Sequence, residues 1–159
     1  LVVGVVAYLL IDKLLKAENN RRNYELQKSL VKTITPSKLT AYERMTLFLE
    51  RITPESLLAR QEYSGLTVIQ LQSALLQQIR QEWEHNLTQQ LYITQETWMM
   101  VRNAKESMIQ LINTCAAKSS GNSTAIEFAT MIIETYQSLE KTPVQVALSM
   151  LKADVARLG

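Results

Sequence analysis

Apolar residues recur every three or four positions along most of this chain. The clearest series follows Thr67 and consists of Val68, Leu71, Leu75, Ile79, Trp83 and Leu87. This spacing places the series on one face of an α-helix, with Gln, Arg and Glu on the opposite face. The 159 residues include only four Gly and three Pro, so long segments are uninterrupted. The pattern therefore predicts amphipathic helices, and no segment has the alternation typical of a strand.

Further segments with the same periodicity begin at residues that favour a helix start. Thr94 and Thr124 each precede such a segment, and Thr53-Pro54 and Thr142-Pro143 combine an N-cap residue with Pro at the first helical position. Each apolar stripe must be covered, so we expect a compact bundle of about five amphipathic helices over residues 36–159. The Pro of Thr35-Pro36-Ser37 is expected to end the helix before it.

The first eleven residues, Leu1 to Ile11, are uncharged, and basic residues follow them directly. Such a run covers roughly half of a ~30 Å hydrocarbon core at about 1.5 Å per residue. The chain lacks an initiator Met, so we interpret residues 1–34 as a transmembrane anchor, truncated at its start, with a basic juxtamembrane helix. Basic flanks favour the cytoplasmic side. The expected fold class is therefore all-α, a transmembrane helix continuing into the bundle, single-pass in the inner (cytoplasmic) membrane.

The uncharged run of the first eleven residues has two other interpretations. A cleaved signal peptide carries its charges before the apolar run and a small-residue site after it, and this chain has neither. A buried helix start is the remaining alternative, because runs of this length are common in ordinary cores.

No residue pattern indicates catalysis, a cofactor or a bound metal. His85 is the only histidine, which excludes zinc motifs that need two. Cys115 is the only cysteine and lies on an apolar stripe, as a small core residue does. The glycines are too far apart for a phosphate-binding loop, and a net charge of +2 is too small to favour nucleic acid. We therefore expect a non-enzymatic protein that does not bind nucleic acid.

Charged pairs on the helix after Pro36 are the best candidates for contact with a partner. Glu43-Arg44 and Glu50-Arg51 are seven residues apart, so each charge type repeats on one helix face. The alternative is a solvated helix face. The hypothesis for partner binding comprises Glu43, Arg44, Glu50, Arg51, Trp83, His85 and Asn86. A separate hypothesis assigns contact with anionic lipid headgroups to Lys13, Lys16, Arg21 and Arg22.

Two longer motifs resemble those of an uncharacterised protein family. They are LxAYERMTLFLERITP at Leu39 to Pro54 and LQxxLLQQIRQEWEHNLTQQLYIT at Leu71 to Thr94. In this order, after an apolar N-terminal helix, they resemble a Bacteroidota family of membrane-anchored all-helical proteins without an established activity. The resemblance implies helicity and an anchored topology, and it transfers no site residues.

The expected function is that of a membrane-anchored structural or interaction subunit in an inner-membrane protein assembly. Its partners would be other membrane proteins or further copies of itself. The alternative is a module that binds anionic lipid or organises a membrane through its basic segment.

Overall fold

The computed structural model describes residues 1–158, apart from the side chains of Val31, Thr33 and Ile34. Over this range the chain forms α1 (Val2–Arg51), α2 (Pro54–Ala59), α3 (Val68–Glu84), a 3₁₀ helix (Leu87–Leu91), α4 (Gln95–Lys118), α5 (Ala125–Gln137) and α6 (Pro143–Leu158). The only β-type pairing in this range is an isolated antiparallel bridge between Thr67 and Thr124. The prediction of an all-helical chain is confirmed, with six α-helices rather than about five.

The chain divides into two compact units, residues 1–37 and residues 38–159. The first unit consists of the N-terminal part of α1, and the large apolar side chains that the structure describes there are exposed to solvent. The exposed set is Leu1, Val2, Val3, Val5, Val6, Tyr8, Leu9, Leu10, Ile11, Leu14, Leu15, Tyr24, Leu26 and Leu30.

The expected transmembrane anchor is not present in the part of the chain that the structure describes. Between residues 1 and 158, no helix is both long and apolar enough to cross a membrane. The uncharged run stops at Ile11, and Asp12, Lys13, Lys16 and Glu18 follow on the same helix. This finding corrects the expected fold class in its transmembrane part, together with the single-pass topology and the inner-membrane localisation.

Pro36 does not end a helix, contrary to the prediction, because α1 continues through it to Arg51. Proline removes one backbone hydrogen bond and crowds the preceding turn. The helix nevertheless continues, since Tyr42, Met45 and Leu49 form a buried stripe a few residues later. Their burial outweighs the local preference of the proline.

The second unit has one hydrophobic core to which every α-helix contributes. Its largest fully buried side chains are Phe48, Phe128, Met45, Leu49, Ile52, Leu57, Leu71, Leu75, Ile79, Met108, Ile112 and Ile132. The predicted stripe of α3 is confirmed at Leu71, Leu75 and Ile79. The same three-to-four spacing of apolar residues places Leu39 in one series with Met45 and Ile52, and Ile126 in one series with Ala129 and Ile133, yet Leu39 and Ile126 are exposed.

The starts of α3 and α5 lie side by side and have the same construction. Thr67 and Thr124 are the N-cap residues, and each forms a reciprocal capping box with the residue three positions later. The bridge between these two threonines joins the loops that precede the two helices. In the first loop, Gly65 adopts a φ of +82°, a conformation that favours glycine.

Candidate functional site

The largely apolar groove between α1 and α6, within the second unit, is the best candidate for a binding site. It has a volume of about 490 Å³. The residues of this α1–α6 groove are Leu39, Tyr42, Glu43, Thr46, Leu47, Glu50, Leu151, Lys152 and Val155. Leu39 and Leu47 are 43% and 57% exposed, although they lie on one helix face and point into the same groove. Exposed leucines that share a concave surface are typical of sites where another apolar surface binds.

Two carboxylates lie along the α1 side of this groove. Glu43 and Glu50 are exposed and seven residues apart, which corresponds to about 10 Å along the helix. Neither forms an ion pair with any cation among the described residues. Both charges are therefore available to a ligand, and Lys152 is the one cation lining the same groove.

A second groove lies on the other side of Leu47, between α1 and the end of α3. Its volume is about 350 Å³, and its residues are Arg44, Leu47, Phe48, Arg51, Gln81, Glu82, His85 and Asn86. Arg44 Nε donates to Asn86 Oδ1 at 3.3 Å, and Arg44 Nη2 donates to the His85 carbonyl at 3.2 Å. Asn86 is buried, and its amide also donates to the Glu82 carbonyl at 2.7 Å. Arg44 therefore holds the turn that follows α3.

Two arginines share the carboxylate of Glu82. Arg51 Nε donates to Glu82 Oε1 at 2.7 Å, and Arg60 Nη1 lies 3.7 Å from the same oxygen. Arg60 Nη2 also donates to the carbonyl of Arg51 at 2.7 Å. Burial and the neighbouring charge of Arg51 lower the pKa of Arg60, while Glu82 acts in the opposite direction. These contacts link α1, α2 and α3. The charge of Arg51 is therefore already paired with Glu82 of the same chain.

Trp83 and His85 have structural partners of their own. The Trp83 ring is stacked on Trp98 with a centroid distance of 4.7 Å and lies 5.4 Å from Phe48. Lys105 Nζ lies 4.7 Å from the centroid of Trp83, in a cation–π contact. His85 is exposed, and its Nδ1 lies 2.7 Å from the Gln81 carbonyl. A carbonyl oxygen only accepts, so Nδ1 carries the proton in this hydrogen bond.

The residues predicted to bind a partner thus do not form one surface in the structure. Glu43 and Glu50 line the α1–α6 groove, whereas Arg44, Arg51, His85 and Asn86 line the second groove. Trp83 packs in the aromatic cluster beside the core. Partner binding by these residues stays a prediction. Glu43 and Glu50 are the strongest candidates among them, because their carboxylates form no ion pair within the described residues.

The four residues predicted to contact lipid headgroups are exposed in the first unit. Three of them pair with carboxylates one helical turn away. The pairs are Lys16 with Asp12 at 2.8 Å, Arg21 with Glu25 at 3.3 Å and Arg22 with Glu18 at 3.5 Å. Lys13 has no ion pair within the described residues. Headgroup contact by these residues also stays a prediction.

Comparison with known proteins places the whole chain in one family. A family model described as "Family of unknown function (DUF7935)" matches residues 1–158. The chain belongs to this family. No curated protein and no solved structure matches it. The expected membership in a family without an assigned activity is confirmed at this level.

Asp154, a buried carboxylate at the end of α6, is not among the residues predicted from the sequence. Its Oδ2 accepts hydrogen bonds from Thr97 Oγ1 at 2.6 Å, Thr94 Oγ1 at 2.8 Å and the Tyr42 hydroxyl at 3.2 Å. Burial acts to raise the pKa of Asp154, but these three bonds and the charge of Arg157 outweigh it and lower the pKa. Asp154 therefore joins α6 to α1 and to the start of α4.

A signal for Asp154 was present in the sequence of this family member. The residue lies on the apolar stripe of α6, three positions after Leu151 and next to Val155. An acidic residue on an inward face needs hydrogen-bond donors when it is buried.

Among the described residues, no group of three or more His, Cys, Asp or Glu side chains could hold a metal ion.

Proposed function

We propose that this protein is a non-catalytic interaction module that binds an amphipathic helix of a protein partner in the α1–α6 groove. The observation that supports the proposal is the composition of the groove. It combines two exposed leucines, Leu39 and Leu47, with two carboxylates that have no cation partner in the described part of the chain.

The chemistry of the groove matches the way helical peptides are recognised. An amphipathic helix presents apolar residues at positions i, i+3 or i+4, and i+7, and inserts them into an apolar groove. Covering a large apolar side chain contributes about 1.5–3 kcal/mol, so Leu39 and Leu47 supply the main driving force. Glu43 and Glu50 favour a helix with basic flanks, which adds specificity and a faster encounter.

The second groove is the weaker candidate because its charges already have partners. Arg44 and Arg51 donate to Asn86, to the His85 carbonyl and to Glu82. Reversing those two charges would remove contacts between α1 and α3, so lost partner binding would be mixed with lost stability. The proposal therefore assigns the partner surface to Leu39, Leu47 and the two carboxylates.

A synthetic helix tests the proposal. The probe is a fluorescein-labelled peptide of about 16 residues, with Leu along one face and Lys beside it, and its binding is measured by fluorescence anisotropy. Leu47→Asp is expected to weaken binding at least about tenfold. Met99→Asp is the matched control, because Met99 is 51% exposed and lines neither groove, and it should change affinity less than about twofold.

The two carboxylates have their own test with the same peptide. Glu43→Gln together with Glu50→Gln is expected to lower both the affinity and its dependence on salt concentration. Absence of binding by the unmodified chain, or equal affinities of the Leu47 and Met99 variants, would overturn the proposal. The expected Bacteroidota origin and the anionic-lipid alternative stay predictions, and the groove proposal depends on neither.

A further inference from the structure

The two units of this chain carry complementary features that have no partner within the described residues. The first unit exposes an uncharged helical segment, Leu1 to Ile11, and contains six cationic against three anionic side chains. The second unit contains the α1–α6 groove and has eleven cationic against twelve anionic side chains. One unit is therefore basic with an exposed apolar helix, and the other is slightly acidic with an open apolar groove.

We propose that the α1–α6 groove of one copy binds the N-terminal helical segment, residues 1–16, of a second copy. This inference rests on the proposed function and names its partner. It implies self-assembly of the protein through a contact between the first unit of one copy and the second unit of the other.

The sequence of the segment fits the groove in both shape and charge. Val2, Val6, Leu9, Lys13 and Lys16 follow one another in steps of four and three, so they share one helix face. Val6 and Leu9 would pack against the exposed leucines of the groove, with the two lysines within reach of its carboxylates. Lys16 pairs with Asp12 in an exposed ion pair, which such a contact can readily replace.

The area needed for a stable contact favours a reciprocal arrangement. Stable interfaces bury about 1,200 Å² or more in total, and one segment of about four helical turns supplies only part of that area. In a two-fold symmetric dimer each copy gives one segment and one groove, which doubles the contact and closes the assembly. Such a dimer would also cover exposed apolar side chains of the segment, and monomeric proteins rarely keep large contiguous apolar patches in solvent.

Sedimentation velocity of the full chain over a range of concentrations tests the inference. We expect a monomer–dimer equilibrium that Leu47→Asp weakens at least about tenfold and that Met99→Asp leaves within about twofold. A chain that stays monomeric from micromolar to near-millimolar concentration overturns the inference.

Charge exchange between two variants shows whether the contact runs from copy to copy. The first variant combines Glu43→Lys with Glu50→Lys, and the second combines Lys13→Glu with Lys16→Glu. Each variant alone places like charges at the contact and should dimerise at least about tenfold more weakly. An equimolar mixture restores opposite charges at both contacts, so dimers should reappear. A mixture that remains monomeric overturns the inference.

The outcomes separate this inference from the proposed function. A monomeric chain that still binds the synthetic peptide in a manner sensitive to Leu47→Asp refutes the second copy as partner and supports the groove as a binding site. A monomeric chain that does not bind the peptide refutes both the second copy as partner and the groove as a binding site. A third outcome is that the chain co-sediments with phosphatidylglycerol vesicles, that the Lys13 and Lys16 variant does not, and that no dimer forms without vesicles. This outcome assigns the segment to lipid binding and also refutes the inference.

Discussion

An Asp154→Asn substitution removes a negative charge from the point where α6 meets α1 and the start of α4, at almost constant side-chain volume. In the wild-type chain, Oδ2 of Asp154 accepts three hydroxyl hydrogen bonds, from Thr97, Thr94 and Tyr42. The amide retains one acceptor oxygen, so the variant keeps part of this network. It loses the stronger attraction that an ionised acceptor exerts on its donors.

The size of the effect follows from the number of bonds. Hydrogen bonds to a charged group contribute about 1.5–3 kcal/mol each, against about 0.5–1.5 kcal/mol between neutral groups. Weakening three bonds by about 1 kcal/mol each gives a gross loss of about 3 kcal/mol, and relief from burying a charge offsets part of it. We expect the free energy of unfolding to fall by about 1–3 kcal/mol and the melting temperature by about 3–10 °C.

Urea denaturation at pH 7, followed by circular dichroism, measures this change. Asp12→Asn is the matched control, because Asp12 is a half-exposed carboxylate whose ion pair with Lys16 joins adjacent helical turns. Its effect should stay within about 0.5 kcal/mol. Equal stabilities of the two variants at pH 7 would refute the assigned role of Asp154.

The pH dependence provides a second readout. Because the folded pKa of Asp154 lies below its ordinary value, the ionised carboxylate stabilises the folded state above the unfolded pKa of about 3.9. This contribution declines as the pH falls through the folded pKa. The stability difference between wild type and Asp154→Asn should therefore be constant from about pH 8 to pH 5 and shrink at lower pH. A difference that grows on acidification contradicts the reasoning.

Three further substitutions test the packing and the helix starts. Ile79→Ala should cost about 2–5 kcal/mol in urea titrations, since Ile79 is fully buried, whereas exposed Ile69 on the same helix should tolerate Ala within about 0.5 kcal/mol. Gly65→Ala should cost about 1–2 kcal/mol by calorimetry because of its positive φ, and Gly121→Ala, at a position without a positive φ, should cost clearly less. Thr124→Ala should cost about 1 kcal/mol and raise amide hydrogen exchange in the first turn of α5. Equal effects within either matched pair, or unchanged exchange in α5, would contradict these assignments.

The helix starts could be predicted because the interactions that define them are local. Thr67 and Gln70 form a capping box at the start of the series that follows Thr67, and Thr94 caps α4 as expected. Thr142 likewise caps α6, since the backbone N–H of Gln145 donates to its hydroxyl at 3.2 Å. Each of these arrangements involves residues only three positions apart, so the chain specifies them without knowledge of the tertiary fold.

The exposure of individual stripe residues could not be predicted in the same way. Leu39 belongs to the same periodic series as Met45 and Ile52, yet it lines an open groove whereas those two side chains are fully buried. Periodicity identifies the face of a helix that packs, and the partner helix decides how much of that face is covered. For Leu39 that partner is α6, more than a hundred residues later in the chain.

The two wrong predictions at the start of the chain have different physical reasons. The uncharged run up to Ile11 resembled part of a membrane helix in composition, but Asp12 and Lys13 end it too early for a span within the described residues. Pro36 was expected to end a helix on local grounds, and the buried stripe beginning at Ala41 and Tyr42 overrides that preference.

The hydrogen-bond donors of Asp154 could not be predicted either, because they lie far from it in the sequence. An acidic side chain on the inner face of α6 indicates a buried hydrogen-bond network, but the sequence does not identify the donors. Thr97 is 57 residues away and Tyr42 is 112 residues away. Only the packing of α1 and α4 against α6 brings their hydroxyl groups to one carboxylate oxygen.

The two Glu-Arg pairs on α1 are seven residues apart, and their glutamates and arginines have different surroundings. The reason is that different helices pack beside the two faces of α1. Consecutive residues of a helix are rotated by about 100°, so Glu43 and Arg44 point to different neighbours. Near Arg44, the end of α3 offers the oxygen of Asn86 and a backbone carbonyl, and the arginine is satisfied within the chain. On the side of Glu43, α6 contributes Leu151, Lys152 and Val155 to the groove. The two apolar side chains cannot hydrogen-bond to a carboxylate, and Lys152 forms no ion pair with Glu43 or Glu50 within the described residues. A ligand of this groove should therefore be apolar and basic, and its affinity should fall as salt concentration rises.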